Sequence, residues 1–356
     1  MRLMARLLVV VLVLCFTVNA SSSPTPVRVG YLPATHDSLL FVAKELNLFD
    51  GKKIEVQEKP YDNSVQILSD LKSGLLDIGI PGVATPAVEI GGKAPLSIIG
   101  GAAAESAALV VQPTLVESFS RAKDVTSRIK LLRGKKVGAV RGSTGLAIFR
   151  QALRQAGMDD RALDLRDYQK PSEIISALVA HDLDAGLLWS PHMTLAEDKG
   201  FKIAVWMTDV LPHHVCCRLV ARDEFLGNQE AVVEYLVGIL KADKIMRAAR
   251  TNPTEKAKVM AAVKKYLTTL SDRQIEIELF GANPRTTVSP DLDRQGIDRY
   301  LSAMQTAGLM RKDQCANVQD KVRSDFLAKA YERLGCSPVI AKNCVSKRSA
   351  SCECLK

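Results

Sequence analysis

Aromatic side chains are scarce. Phe, Trp and Tyr make up 5% of the 356 residues, with two tryptophans. Sugar sites and single-stranded nucleic-acid platforms depend on such rings for stacking, so both functions lack their usual equipment. Long apolar runs are missing as well. Leu7 to Phe16 is a run of ten residues, too short to cross a bilayer comfortably. There is no P-loop, no His-Glu-x-x-His and no Ser-His-Asp set. Nucleotide hydrolysis, zinc proteolysis and serine hydrolysis therefore have no footing in the motifs, and no nucleic-acid motif is present.

What is there suits an exported α/β protein of two lobes. The chain is 47% apolar and 24% charged, enough for real cores and against disorder. Residues 1–20 read as a signal peptide. Arg2 and Arg6 lead into the apolar run, and Val18-Asn19-Ala20 offers small residues for cleavage before Ser21. Cys15 follows Leu14, where a lipobox wants Gly, Ala or Ser. The formal charge is +9, and residues 311–356 hold ten Lys/Arg against five Asp/Glu. This tail basicity fits contact with an anionic membrane surface better than nucleic acid. Seven of the eight cysteines follow the signal. Export permits disulfides, and an odd number leaves one thiol over or paired with another chain. The spacing C-x20-C-x7-C-x7-C-x-C from Cys315 matches no zinc or iron–sulfur pattern, so disulfide pinning of the tail is the plain reading.

Strand–loop–helix junctions recur along the chain. Val27–Val29 is a β-branched run broken at Gly30, and a polar loop follows from Tyr31 to Ser38. Leu39, Leu40, Val42, Ala43 and Leu46 then recur at helical spacing. Leu75–Ile80 reads as a buried strand stopped by Pro81-Gly82, with Thr85 and Pro86 at the N-cap and first turn of a new helix. Leu96–Gly101 leads into a small-residue loop over 100–106, and Ala108–Val111 reads as a strand again. The segment 132–140 restarts the pattern, followed by the turn Arg141-Gly142-Ser143-Thr144-Gly145. A helix over 146–155, a strand over 163–168, a helix opened by Pro171 and a strand over 183–188 complete the second half-chain. Residues 203–221 read strand, turn, strand. Helices fit 229–250, 253–267, 271–281 and 291–307, and 318–334 reads as a last amphipathic helix. LDIGI (76–80) and LDAGLL (183–188) stand at matching points of the two halves.

Three stretches resemble one family. They are Gly30-Tyr31 with Pro33, His36, Val42-Ala43-Lys44-Glu45 and Leu48-Phe49; residues 73–90; and Pro212-His213-His214-Val215-Cys216-Cys217-Arg218-Leu219-Val220 with Glu224-Phe225-Leu226. Over about residues 27–335 the chain is similar to the periplasmic solute-binding proteins of ABC importers for nitrate, sulfonates, taurine and thiamine-precursor pyrimidines. The resemblance implies an α/β, two-lobe periplasmic-binding-protein type II fold with crossing strands near 108–112 and 212–220. Lobe 1 would take 27–110 plus 215–310 and lobe 2 would take 111–214. A C-terminal helix (311–335) and a Cys-rich basic tail (336–356) would follow. It also implies an extracytoplasmic protein that captures a small solute and delivers it to an ABC permease with its ATPase, with no cofactor and no catalysis.

Ligands of open α/β sheets sit outside the carboxyl ends of strands, where helix N-termini favour anions. The candidate ligand-binding residues are accordingly Tyr31, Thr35, His36, Asp37, Gly82, Thr85, Glu105, Arg141, Ser143, Thr144, Trp189, His192, His214 and Cys216. Arg141 is the expected charged fork for a nitrate, sulfonate or carboxylate. Each loop singly is also explained as a capped connector. His36-Asp37 meets the solute, or Asp37 or Ser38 simply caps a helix. Trp189 covers the ligand or sits in the core. On a regular strand His214 and Cys216 face one way while His213, Val215 and Cys217 face the other. That parity splits the cluster as a metal site and favours a cleft wall, with packing or a hinge disulfide still open. The alternatives in function are an enzyme on the same fold using His213 or His214 with Cys216 or Cys217, and a pyrimidine-binding or sensor protein.

Overall fold

The computed structural model describes residues 23–281 and 285–337. The signal-peptide reading of residues 1–20 and the tail from residue 338 onward lie outside them. No helix among the described residues is long and apolar enough to cross a membrane.

The strands in chain order are β1 (Thr25–Tyr31), β2 (Ile54–Pro60), β3 (Ile78–Gly79), β4 (Leu96–Gly101), β5 (Ala103–Ala104), β6 (Ala107–Val111), β7 (Lys136–Val140), β8 (Asp164–Tyr168), β9 (Ala185–Trp189), β10 (Lys202–Trp206), β11 (Arg218–Arg222) and β12 (Thr287–Val288). They form two five-stranded sheets, ordered β2-β1-β3-β11-β4 and β10-β6-β9-β7-β8, and the small pair β12-β5. In the first sheet β1 runs parallel to β2 and β3, while β11 is antiparallel to β3 and β4. In the second, β7 runs parallel to β8 and β9, while β6 is antiparallel to β9 and β10. Helices cover both sheets, so the central strands read as continuous apolar runs. All five residues of β6 are buried.

The matching LDIGI and LDAGLL segments do the same physical job in each sheet. In the first, the Arg28 N–H donates to Asp77 Oδ2 (2.9 Å) and the Asp77 N–H donates to the Arg28 carbonyl (2.9 Å). In the second, the Lys136 N–H donates to Asp184 Oδ2 (2.8 Å) and the Asp184 N–H to the Lys136 carbonyl (2.9 Å). Each aspartate thereby pins the start of one strand to its parallel neighbour. Two residues further on, Gly79 and Gly186 let a helix settle onto the sheet. An added Cβ would come within 2.4 Å of Ile67 Cγ2 at Gly79, and within 2.4 Å of Ile174 Cγ2 at Gly186.

The chain passes from the first sheet to the second through Gly101–Ser106 and returns through Met207–Cys217. The first passage precedes the expected 108–112, because β6 is already paired on both edges within the second sheet. The return ends before β11, which lies wholly in the first sheet. The two passages pair with each other: the Ala102 and Ala103 N–H groups donate to the Cys217 carbonyl (3.1 and 3.2 Å), and the Glu105 N–H donates to the His214 carbonyl (3.2 Å).

Three other expectations are corrected. The expected strand 75–80 shortens to Ile78–Gly79, with Asp77 and Ile80 bonded to Arg28 and Gly30 of β1 at its ends and Leu75 60% exposed. A short helix, Met207–Val210, replaces the simple turn after β10. The expected continuous helix over 318–334 is two helices, Lys312–Asp320 and Ser324–Arg333. The break is held by β4, whose Ile98 donates to the Lys321 carbonyl (2.9 Å) and accepts from the Arg323 N–H (2.8 Å).

The last helix closes over a buried polar knot. The Tyr331 hydroxyl donates to Asp291 Oδ1 (3.2 Å), and Arg247 Nε donates to Asp243 Oδ2 (2.6 Å), leaving Arg247 at 4.0 Å from Asp291. Burial, with the nearby Asp243 charge, pushes the Asp291 carboxyl up to about 6. A carboxyl raised in the folded state keeps its proton there while the unfolded chain releases it. Stability therefore falls as pH rises from about 4 to about 6, by up to about 3 kcal/mol. Asp291→Asn should remove that fall, matching the wild type below pH 4 and exceeding it above pH 6 in urea unfolding. Parallel curves for the two proteins would refute the assignment.

Candidate functional site

A small pocket lies between the two sheets, at the carboxyl ends of β1, β3, β7 and β9. It is lined by Leu32, His36, Ser64, Gly82, Ala107, Ser143, Thr144, Gly145, Trp189, Cys216 and Cys217. Its free space is about 30 Å³, room for a water-sized group. A larger hollow of about 490 Å³ sits over Pro33, Lys59, Tyr61 and Asp70, but it is an open surface feature flanked by the first sheet alone.

Three helices begin at the pocket. Ser143 accepts from the Leu146 N–H (3.2 Å) and caps Thr144–Gln155. Asn63 accepts from the Gln66 N–H (3.1 Å) and caps Ser64–Lys72, and Ser64 Oγ accepts from the Gly82 N–H (2.9 Å). At Ala84–Gly91 the N-cap Val83 donates its N–H to the Cys216 carbonyl (2.6 Å). Thr144 Oγ1 is buried without a hydrogen-bond partner. The positive ends of three helix dipoles thus surround a space whose lining contains no Lys or Arg.

The floor is an imidazole and two thiols. His36 Nε2 lies 2.8 Å from Ser106 Oγ, and His36 Nδ1 lies 3.3 Å from Cys217 Sγ. The two sulfurs are 3.8 Å apart. Burial pushes His36 down to about 3 and His192 down to about 4, so both rings are neutral. Within the thiol pair the Cys217 hydrogen bond lowers Cys216, and the same contact together with burial raises Cys217. Asp37 accepts from the Leu32 N–H (2.7 Å) and is held well above the usual carboxylate range by burial.

Of the residues expected at the site, His36, Gly82, Ser143, Thr144, Trp189 and Cys216 line the pocket. Arg141 does not. Its side chain is 78% exposed and its Nη2 lies 2.5 Å from Asp167 Oδ2 on β8, outside the pocket lining. Tyr31 packs edge-on against Phe41 and Tyr266. Thr35 bonds Thr286 through their hydroxyls (2.8 Å). Asp37 supports the loop rather than capping the helix. Thr85 is no N-cap: it sits in the first turn and donates to the Gly142 carbonyl across the cleft mouth (2.7 Å). Glu105 lies 3.3 Å from His213 on the passages. His192 is half-buried beside Trp189, with ring centroids 6.1 Å apart. His214 is buried with Nδ1 at 2.9 Å from the Leu211 carbonyl. Ser64, Ser106 and Cys217 are not among the expected ligand-binding residues, although Cys217 stands with His213, His214 and Cys216 in the enzyme alternative. The parity that separated Cys216 from Cys217 fails because both N–H groups donate to the one Ala103 carbonyl (3.1 Å each). This is a bulge that re-aims side chains.

Residues 20–263 match the NMT1-like family. The chain belongs to that family. A Brucella abortus chain described as a binding protein is 26% identical over 289 residues, covering 78% of this chain and 83% of its own length. An Escherichia coli K12 chain described as an aliphatic sulfonates-binding protein is 29% identical over 184 residues, 51% of this chain and 54% of its own. The crystal structure of the periplasmic nitrate-binding protein of Synechocystis PCC 6803 superposes with a TM-score of 0.70 at 14% identity, over 87% of this chain and 89% of that one. The fold of this NMT1-like chain is the periplasmic-binding-protein fold, and each of these descriptions is that of a binding protein rather than an enzyme.

In this NMT1-like chain the two walls meet at Gly82, where an added Cβ would stand 2.8 Å from Thr144 Oγ1. Gly82→Val should prop the halves apart while leaving each sheet intact. Small-angle scattering is expected to give a larger radius of gyration than wild type with unchanged far-ultraviolet dichroism. An identical scattering profile would mean that this contact does not set closure.

Proposed function

We propose that the chain is an extracytoplasmic solute-binding protein. It takes a small solute with an anionic end between its two halves and hands it to an ABC permease driven by its ATPase. The single observation that carries this reading is the buried pocket shared by both sheets, ringed by three helix N-termini. Membership of a family whose relatives bear binding-protein names supports it, as do the sulfonate and nitrate descriptions among them. The lobes would be the two sheets with their helices, moving about the paired passages. Export by the N-terminal segment would place the protein outside the cytoplasm.

The anchor for the anion is uncharged. Backbone N–H groups and the Ser143 and Thr144 hydroxyls would receive the oxygens, with Trp189 as an apolar cover over the remainder. Such recognition depends on pre-organised dipoles rather than on a guanidinium fork.

Calorimetry of the mature protein against nitrate, taurine, short alkanesulfonates and aminopyrimidines tests the reading. One anion of the set should bind one-to-one. Thr144→Val should weaken it about tenfold, the loss of one hydrogen bond to a charged group, and Arg141→Ala should leave it unchanged. Binding of the aminopyrimidines alone would replace the anion with a heteroaromatic ring. Loss of binding on Arg141→Ala would overturn the uncharged anchor.

A further inference from the structure

We propose that His36, Cys216 and Cys217 form a three-donor site for a thiophilic cation of the zinc class at the floor of the cleft. The inference goes beyond solute capture and does not depend on which solute is carried.

The three residues are buried, and their donor atoms all lie within 4.8 Å of one another. A tetrahedral zinc ion with bonds of about 2.3 Å to sulfur and about 2.0 Å to nitrogen sets its sulfurs about 3.8 Å apart, and sulfur and nitrogen about 3.5 Å apart. The protein has 3.8 Å between Cys216 Sγ and Cys217 Sγ, and 3.3 Å between Cys217 Sγ and His36 Nδ1. These two spacings need shifts of only a few tenths of an ångström; the third, from Cys216 Sγ to His36, is within 4.8 Å and shortens by up to about 1.3 Å on closing around the ion.

The imidazole is already oriented for ligation. His36 Nε2 lies 2.8 Å from Ser106 Oγ; in the tautomer that carries its proton on Nε2, this contact leaves the Nδ1 lone pair facing the Cys217 thiol. Ligating histidines are characteristically held this way, through the second ring nitrogen. The thiols converge because the Cys216 and Cys217 N–H groups share the Ala103 carbonyl, a bulge that brings adjacent side chains together where a regular strand would send them to opposite faces. Two hydrophobic residues would fill these buried positions as well, so packing alone does not call for a bulged pair of thiols facing an imidazole. The chemistry is also balanced. Two thiolates offset a divalent charge, and the two protons leave to solvent on binding. The pocket of about 30 Å³ beside the sulfurs admits a water-sized fourth ligand, and its lining supplies no competing Lys or Arg.

The test uses the full mature protein, reduced and freed of metal under anaerobic conditions. Titration with Co²⁺ should give thiolate-to-cobalt charge transfer and the intense visible bands of a tetrahedral ion, at one equivalent per chain above any tail contribution. Zn²⁺ should displace it. X-ray absorption of the zinc form should show two sulfurs at about 2.3 Å and one nitrogen at about 2.0 Å. Cys217→Ser and His36→Gln should each weaken this binding by about 100-fold or more, while Cys315→Ser should leave it unchanged. Thermal unfolding establishes that each variant is folded. Absence of the charge-transfer bands in the wild type overturns the proposal. So do bands that persist unchanged in a folded Cys216→Ser/Cys217→Ser protein, which would put the metal on the tail cysteines. A Cys216–Cys217 disulfide that resists reduction in the native protein overturns it as well.

Discussion

The carbonyl of Ala103 is the point on which the two halves of the molecule depend. It accepts from the Cys216 and Cys217 N–H groups and from Arg218 Nη2 at 2.7 Å, so one backbone oxygen ties the outgoing passage to the returning one. Arg218 is 2% exposed, and its Nη1 also donates to the Asp291 and Leu292 carbonyls. A guanidinium buried among carbonyls is stable only while those acceptors stay in place. The ribbon between the sheets is therefore fastened to the first half by a charged group and continues as β6 into the second. Its bulge is what aims both thiols into the cleft. The same carbonyl thus ties the two passages together and builds a floor.

That floor is neutral by construction. His36 and Asp37 are buried where their charged forms are disfavoured, and the histidine's neutrality makes its second nitrogen available as an acceptor. Fixed charge is exported to the rim and the outer surface, as the Arg141–Asp167 pair shows. What remains at the centre is oriented dipole: three helix starts, the hydroxyls of Ser64, Ser143 and Thr144, and a polarised imidazole. Dipoles already held by capping residues need no reorganisation when a charged guest arrives.

The layout of the fold was legible because it is written in short β-branched runs bounded by Gly and Pro, and because the two half-chains repeat the same Asp and Gly at the same points. The position of the pocket followed from topology, since loops at the carboxyl ends of parallel strands converge. Its chemistry was less legible. Arg141 lies in the loop whose Ser143, Thr144 and Gly145 line the pocket, yet Asp167, on the adjacent β8, draws it outward; which residues oppose one another across a sheet is a matter of register. Cys217 was placed on the wrong face by strand parity, and only the shared hydrogen-bond acceptor reveals the bulge. Ser106 and Ser64 carry no local signal, as each matters through a partner distant in sequence. The broken last helix likewise depends on β4, more than 200 residues upstream.

Closure itself is lightly held. Across the cleft, Thr85 donates to the Gly142 carbonyl, Asn63 Nδ2 donates to the Gln169 carbonyl (3.1 Å), Thr194 bonds Glu278, and Arg285 pairs with Glu197. Each such contact is worth about 1 kcal/mol net, because water replaces it on opening. The ribbon contacts, by contrast, survive any rotation about the hinge. On the proposed clamshell motion, a handful of exchangeable bonds would set a balance between open and closed forms of a few kcal/mol, the range in which a guest that touches both walls can tip it. The walls approach closely enough at Gly82 and Thr144 that the closed form leaves little unfilled space. A guest larger than that space must therefore hold the walls at its own spacing. In such a cleft, discrimination between solutes would follow from how nearly each lets these cross-cleft contacts form, rather than from charge attraction alone.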